Sequence, residues 1–403
     1  MSAVATPTIS PAEPDHSRLG SKQHSDGGWG LVPVQVRSAR FSSFEVGDFE
    51  PVTGRELEWK HTPIATIQPL LDDGLDGSAL PFDSTVVSAE DSGATVELIG
   101  RGDARIGRAG KPEERASANA WSSFEEALAV TITGERPVEV TVTRSALGAG
   151  PRAAHTVIVA ERHSRGMVVL QNSGEAMLSE NVEIIVGDGA ELTVVTVQQW
   201  NSGAVHLASH FAEIGRDAKL KHVVVSLGGD LVRVNPSMHL SSEGADVELF
   251  GVYFADAGQH LEQQVFVNHD APNTKSRVSY KGALQGVGAH TVWVGDVLIR
   301  PTAAGTDSYE QNRNLLLTEG TRADSVPNLE IETGDIAGAG HASASGRFDD
   351  EQLFYLQARG IAEDEARRLV VRGFLSEIVQ KIGSADLEER LQLAIENELK
   401  VSK

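Results

Sequence analysis

From about Ser88 to Glu332 short apolar runs alternate with turns bearing Gly, Asp and Asn. The runs "ATVELIG", "VEVTVTR", "HTVIVAE", "GMVVLQN", "NVEIIVGDGAELTVVTVQQW", "KLKHVVVSLGG", "DVELFGVYFA", "QQVFVNH" and "TVWVGDVLIRP" are rich in β-branched residues and bounded by turn formers. That pattern predicts strands. A turn recurs among them, in "VGDGAEL", "IGRDAKL", "SSEGADV" and "QGVGAHT". Its alanines Ala190, Ala218 and Ala245 are 28 and 27 residues apart, with a longer gap to Ala289. Recurrence of strand, Gly turn and strand at that interval predicts coils stacked along one axis, a β-helix or solenoid, since stacking lets each coil cover the next. A β-sandwich gives similar runs without needing the repeated turn. No hexapeptide repeat is present, which disfavours the left-handed kind of β-helix.

After Gly346 the period changes to that of a helix. "FDDEQLFYLQARG" places Asp349, Asp350 and Glu351 where carboxylates suit a helix N-terminus and closes on Arg359-Gly360, a basic last turn and a Gly cap. "AEDEARRLVVRGFLSEIVQKIG" then sets Ala366, Val370, Phe374, Ile378 and Ile382 on one face at four-residue spacing, and "DLEERLQLAIENELK" is amphipathic as well. The organisation predicted is a disordered leader over 1–28, rich in Pro, Ser, Asp and Gly, and a mixed N-terminal region over 29–90. A β-helix core over 91–346 and a helical domain over 347–403 follow.

Composition narrows the function. The 403 residues carry 35 basic and 57 acidic side chains, a formal charge of −22, so a phosphate backbone is not an expected partner. There is no cysteine, which removes disulfides, thiolate catalysis and thiolate metal ligation by this chain alone. The first residues lack the layout of a signal peptide and no window approaches the about 18 apolar residues of a membrane helix. A cytoplasmic protein with no membrane partner is the expectation.

Chemistry is sparse. No GxxxxGK[ST] phosphate loop occurs, no GxGxxG leads from strand to helix, and GxSxG and HExxH are absent. His206 and His210 in "HLASH" would converge on a metal only if helical, and their surroundings predict strand and turn. Asp72-Asp73 and Asp349-Asp350 suit solvated turns and helix starts, and Trp59 in "ELEWKHT" suits a packing anchor. His341 stands apart, alone in the small-residue loop "IETGDIAGAGHASASG". Neighbours that small cannot enclose an imidazole, and they let another backbone approach closely. Imidazole is a good iron ligand; a turn residue is the other reading.

Four ordered pieces in Asn312–Ile361, "NRNLLL", "PNLEIE", the small-residue loop ending in "GH", and "LFYLQARGI", resemble the C-terminal signature of the SufB/SufD family, scaffolds of the SUF iron–sulfur cluster assembly machine. Upstream, "VNHDAPNTKSRVSYKGAL" and "GDVLIRPTAAGTDSYEQN" are similar to that family's later coils. "ELEWKHT" is similar to its Glu-x-Trp-Arg-x-Thr element, with Lys60 in place of Arg. The missing cysteine resembles the SufD branch, and Gly338, Ala339 and Gly340 stand where relatives often place a Cys before the His. The resemblance implies a right-handed parallel β-helix with a C-terminal helical domain. It implies a non-catalytic scaffold in a heterodimer with a SufB-like paralogue, or a homodimer when isolated, and a SufC-like ATPase docked on the helices at Phe354, Tyr355, Arg359, Gly360, Leu369 and Phe374. His341 would be a cluster or iron ligand at the subunit seam, with Glu332 a weaker candidate. No cofactor is expected to be tightly bound by the chain alone; iron or a cluster would be held transiently, and ATP by the partner. A carbohydrate-active β-helix enzyme is the alternative from another class.

Overall fold

The computed structural model describes residues 40–72, 74–88, 93–145, 147–347 and 350–401; the expected leader over 1–28 and Asp349 lie outside them. An N-terminal layer holds α1 (Ile64–Leu71), β1 (Asp83–Ser88), β2 (Ala94–Gly100) and α2 (Arg115–Ser123). From β3 (Glu126–Ile132) onward the strands alternate between two sheets. The first sheet takes β3, β5 (Gly148–Ala160), β7 (Ala176–Val186), β9 (Val205–Ile214), β11 (Leu231–Leu240), β13 (His260–His269), β15 (His290–Ile299) and β17 (Arg322–Ile331). The second takes β4 (Val138–Ser145), β6 (Arg165–Gly174), β8 (Glu191–Trp200), β10 (Lys219–Ser226), β12 (Asp246–Ala255), β14 (Lys275–Leu284), β16 (Thr306–Leu316) and β18 (Ile336–Arg347). Every pairing between these is parallel; only β1 on β4 and β2 on β3 are antiparallel, at the N-terminal end. The fold is a parallel β-solenoid, one strand per sheet in each coil.

The recurring turn has a physical basis. Gly189, Asp217, Gly244, Asn273 and Gly305 all have positive φ, and each immediately precedes a fully buried small residue: Ala190, Ala218, Ala245, Thr274 and Thr306. Left-handed backbone there suits Gly, Asn and Asp. The amide of each of the five donates to a carbonyl of the next coil, from Gly189 to Arg216 through to Gly305 on Asp335. Ala289 is not the fourth member of this series. It precedes β15, in the other sheet and at the opposite edge, and Thr274 continues the alanine position 29 residues after Ala245. The stacked strand starts Arg165, Glu191, Lys219, Asp246, Lys275 and Asp307 alternate in sign from coil to coil. Such exposed pairs contribute little energy each, but every neighbour is opposite in charge only in this stacking.

Alternate residues of each strand face the lumen, where Val, Ile, Leu and Ala form one continuous core from Ala94 to Ala303. The three C-terminal helices are α3 (Asp350–Gln357), α4 (Glu363–Val379) and α5 (Ala385–Val401). Ala366, Val371, Leu375, Ile378, Val379 and Ile382 pack with Leu387, Leu391 and Ile395 against Val195, Val223, Phe250 and Val252 on the outer face of the second sheet. The predicted face is therefore rotated slightly: Val370 and Phe374 are only half-buried, at its rim. Gly360, with φ +85°, ends the α3 segment as expected of a cap. No helix among the described residues is long and apolar enough to cross a membrane.

The small-residue segment is not a loop. Residues 336–347 form β18, paired in parallel with β16 from Thr306 to Leu316. Gly, Ala and Ser have little strand propensity of their own. Here the hydrogen-bonding edge of β16 fixes the backbone, and tertiary pairing overrides composition.

Candidate functional site

β17 and β18 are the last strands of their sheets, so among the described residues the solenoid ends there on two unpaired strand edges. His341 sits on β18 directly beside Glu310 of β16. On β16 burial alternates, with Thr306, Ser308, Glu310, Asn312 and Asn314 inside and Tyr309 and Arg313 outside. Parallel register carries that orientation to β18. Ser343 bonds Ser325 of β17 across the lumen at 2.8 Å, and Asn314 donates to Ser345 at 3.2 Å. His341 thus caps a polar lumen at its open end, 46% exposed, its Nδ1 3.9 Å from Oε1 of Glu310.

Glu310 is the residue that sequence reasoning missed. Its side chain is 1% exposed, and neither carboxylate oxygen has a hydrogen-bond partner among the described residues. The Asn328 amide lies near enough to favour the charged form slightly without meeting hydrogen-bond geometry. Burial, with the Asp296 carboxylate nearby, pushes the Glu310 carboxyl up to about 8. Its Oε2 occupies space that a side chain at Gly295 would take, 2.3 Å from where a Cβ would stand. Thr306, Ser308, Glu310, Asn312 and Asn314 make every second residue polar over nine positions. The intervening Asp307, Tyr309, Gln311 and Arg313 are polar as well, so the sequence does not say which face is interior; the burial pattern does.

Glu332 lies just past β17, where its carboxylate is 3.9 Å from Arg300 and its amide bonds the Ile299 carbonyl. Of the tail residues, Phe354 is 71% exposed and Tyr355 56%, with the Arg359 guanidinium 4.5 Å above the Tyr355 ring. Leu369 is exposed on α4. Phe374 instead engages its own chain: the Lys281 ammonium of β14 lies 4.7 Å from its ring centroid and also meets Glu377.

His206, His210 and His269 make interior contacts within the solenoid. His206 and His210 lie on β9, not on a helix, and both face the lumen. His206 bonds Glu180 at 2.9 Å and accepts from Trp200 at 3.2 Å, while His210 bonds His222 across the lumen at 2.8 Å. His269 is fully buried between the Thr274 and Ser276 hydroxyls, at 2.8 and 2.9 Å. Trp59 is 2% exposed under the Arg233 guanidinium, at 3.9 Å, which makes it the anchor of the N-terminal layer. Among the described residues no group of three or more His, Cys, Asp or Glu side chains is arranged to hold a metal ion.

The comparisons with known proteins converge on one family. The family model of the SufBD core domain of SUF-system FeS cluster assembly matches residues 143–374, which is more than half of the chain. The chain belongs to the SufBD family. A SufBD family iron–sulfur cluster assembly protein of Mycobacterium tuberculosis (strain H37Rv) is 50% identical over 373 residues, covering 90% of this chain and 93% of that protein. One of Mycobacterium leprae (strain TN) is 48% identical with 90% and 94% coverage. The same Mycobacterium leprae strain has a second SufBD family protein, 31% identical over 208 residues, 52% of this chain and 24% of that protein. Two such paralogues therefore occur together in one organism.

Proposed function

We propose that the chain is the SufD-side, non-catalytic scaffold subunit of a SUF iron–sulfur cluster assembly complex. It pairs at its open solenoid end with a SufB-like paralogue and carries a SufC-like ATPase on its C-terminal helices. The observation that supports this most is the position of His341, a half-exposed imidazole on the terminal rung beside two unpaired strand edges. Unpaired edges accept strands from another chain, and an imidazole at such a seam contributes one ligand to an iron ion or cluster whose other ligands come from the partner. Iron and sulfide are cargo in this reading. The absence of thiols here means the partner supplies any thiolate. Membership of an assembly family disfavours the carbohydrate-active alternative.

The helical docking role has its own support. Phe354, Tyr355 and Leu369 are large apolar side chains left exposed on α3 and α4, as expected of anchors for a partner. Ending the chain at Gly346 should abolish co-purification of the ATPase while the solenoid keeps its β-type circular dichroism. The purified full chain should show no micromolar ATP binding by calorimetry. ATPase retained by the truncated chain would place the docking surface elsewhere.

A further inference from the structure

We propose that Glu310 is a second ligand, with His341, for a divalent iron ion held at the open end of the solenoid. This rests on the reading of His341 given above and adds a carboxylate from β16. A carboxylate buried to 1% exposure without a hydrogen-bonded partner is costly in a protein interior. The strand would hold a Gln, Leu or Met there more cheaply if packing were the only demand. The surroundings are arranged around it. Gly295 leaves the room that its carboxylate occupies, and parallel register sets His341 immediately beside it. Asp296, next to Gly295, adds further negative potential rather than a counter-charge.

A carboxylate oxygen and an imidazole nitrogen are a good donor pair for ferrous iron. Two ligands each about 2.1 Å from one ion sit about 3 Å apart when adjacent. The 3.9 Å between Glu310 Oε1 and His341 Nδ1 closes to that by a turn of the exposed imidazole. The described residues supply no third His, Asp or Glu, so the remaining positions go to water or to the partner chain. Binding displaces any carboxyl proton to solvent and changes no oxidation state.

The test uses the full chain, purified anaerobically, with Co(II) as a spectroscopic stand-in for Fe(II). Affinity is read from the visible d–d bands and from calorimetry. Glu310→Gln keeps the shape and removes the charge; it should weaken Co(II) binding at least tenfold while melting no lower than the parent. His341→Ala should weaken it similarly, and the double variant little further, since both losses remove one site. Wild-type affinity in Glu310→Gln overturns the proposal, as does a parent chain that binds no Co(II) at millimolar concentration. Iron content of the complex with the paralogue separates the two readings. If His341→Ala strips iron there while Glu310→Gln is silent in both assays, Glu310 is no ligand and the scaffold reading stands. If both variants lose Co(II) but the complex keeps its iron, the ion site is real and the scaffold role of His341 fails.

Discussion

Replacing Arg233 with Met should destabilise the protein by about 3–5 kcal/mol, the range for removing one partner of a buried ion network. Arg233 is 1% exposed, its Nε is 3.2 Å from Glu262, its NH1 meets Glu114, and its NH2 donates to the Glu58 carbonyl at 3.0 Å. Its guanidinium also covers Trp59. Burial alone would raise Glu262, but Arg233 and His260 outweigh it and hold that carboxyl at about 2. Because its folded value lies below its unfolded one, Glu262 contributes stability above about pH 4.5 and loses it as pH falls toward 2. The methionine variant forfeits that contribution. Its deficit in urea unfolding should be largest near pH 7 and shrink below about pH 4.5. The N-terminal layer is fastened at this point, so limited proteolysis should cut the variant first around residues 55–60. Equal deficits at pH 7 and pH 4, or proteolysis starting in the solenoid, would show that the network is not the fastening.

The second large effect is loss of stability in mild acid. Burial pushes His269 and His210 down to about 4 and His222 well below its usual value, with Glu180 only partly opposing this at His210. A histidine whose folded value is lowered takes up its proton in the unfolded chain first. Stability is therefore full above about pH 6.5 and falls as pH drops toward 4. His269 and His210 each cost on the order of 3 kcal/mol by pH 4, at about 1.4 kcal/mol per unit, and His222 adds in the same direction. Glu310 works in the opposite sense, since its raised value makes stability fall as pH rises from about 4.5 to 8. Three groups outweigh one. The melting temperature should drop steeply between pH 6.5 and pH 4.5, and less steeply in His269→Gln. A flat profile across that interval would mean that these histidines are not held neutral.

These two effects come from interior residues that the sequence disguises. The solenoid itself was legible, because the Gly/Asp-then-Ala turn at 186–190, 214–218 and 241–245 requires one left-handed residue and one small buried residue per coil. Ala289 misled, since the opposite edge uses a similar turn and residue spacing does not say which edge a turn occupies. The C-terminal helices were legible from their period, with Val371, Leu375 and Val379 buried where Val370 and Phe374 were expected and Ala366, Ile378 and Ile382 buried as predicted. β11 and β17 carry Pro236 and Pro327 within the strand, and β18 is nearly all Gly, Ala and Ser. All three strands take their conformation from pairing, which no local pattern reports. His341 was singled out in a supposed loop, whereas it lies on β18. Glu310 passed unnoticed because residues 306–314 are polar on both faces of the strand, so no local pattern marks which side is interior. Within a solenoid the two faces are distinguished only by what the neighbouring coils place opposite, and that is long-range information.

The most direct test of the scaffold role is the iron and sulfide content of the complex formed by co-expressing His341→Ala with the paralogue and the ATPase. The neighbours of His341 are small and it is half exposed, so the substitution should cost about 1 kcal/mol or less. Yield of assembled complex on a sizing column should be that of the parent. Iron and acid-labile sulfide, measured on anaerobically purified complex, should fall to a small fraction of the parent value. His269→Ala, a buried packing histidine, should instead lower the melting temperature and the yield of complex, leaving iron and sulfide per assembled complex unchanged. Full iron and sulfide in the His341→Ala complex, or their loss only in His269→Ala, would contradict the assignment of His341 as the ligand this subunit brings to the cluster.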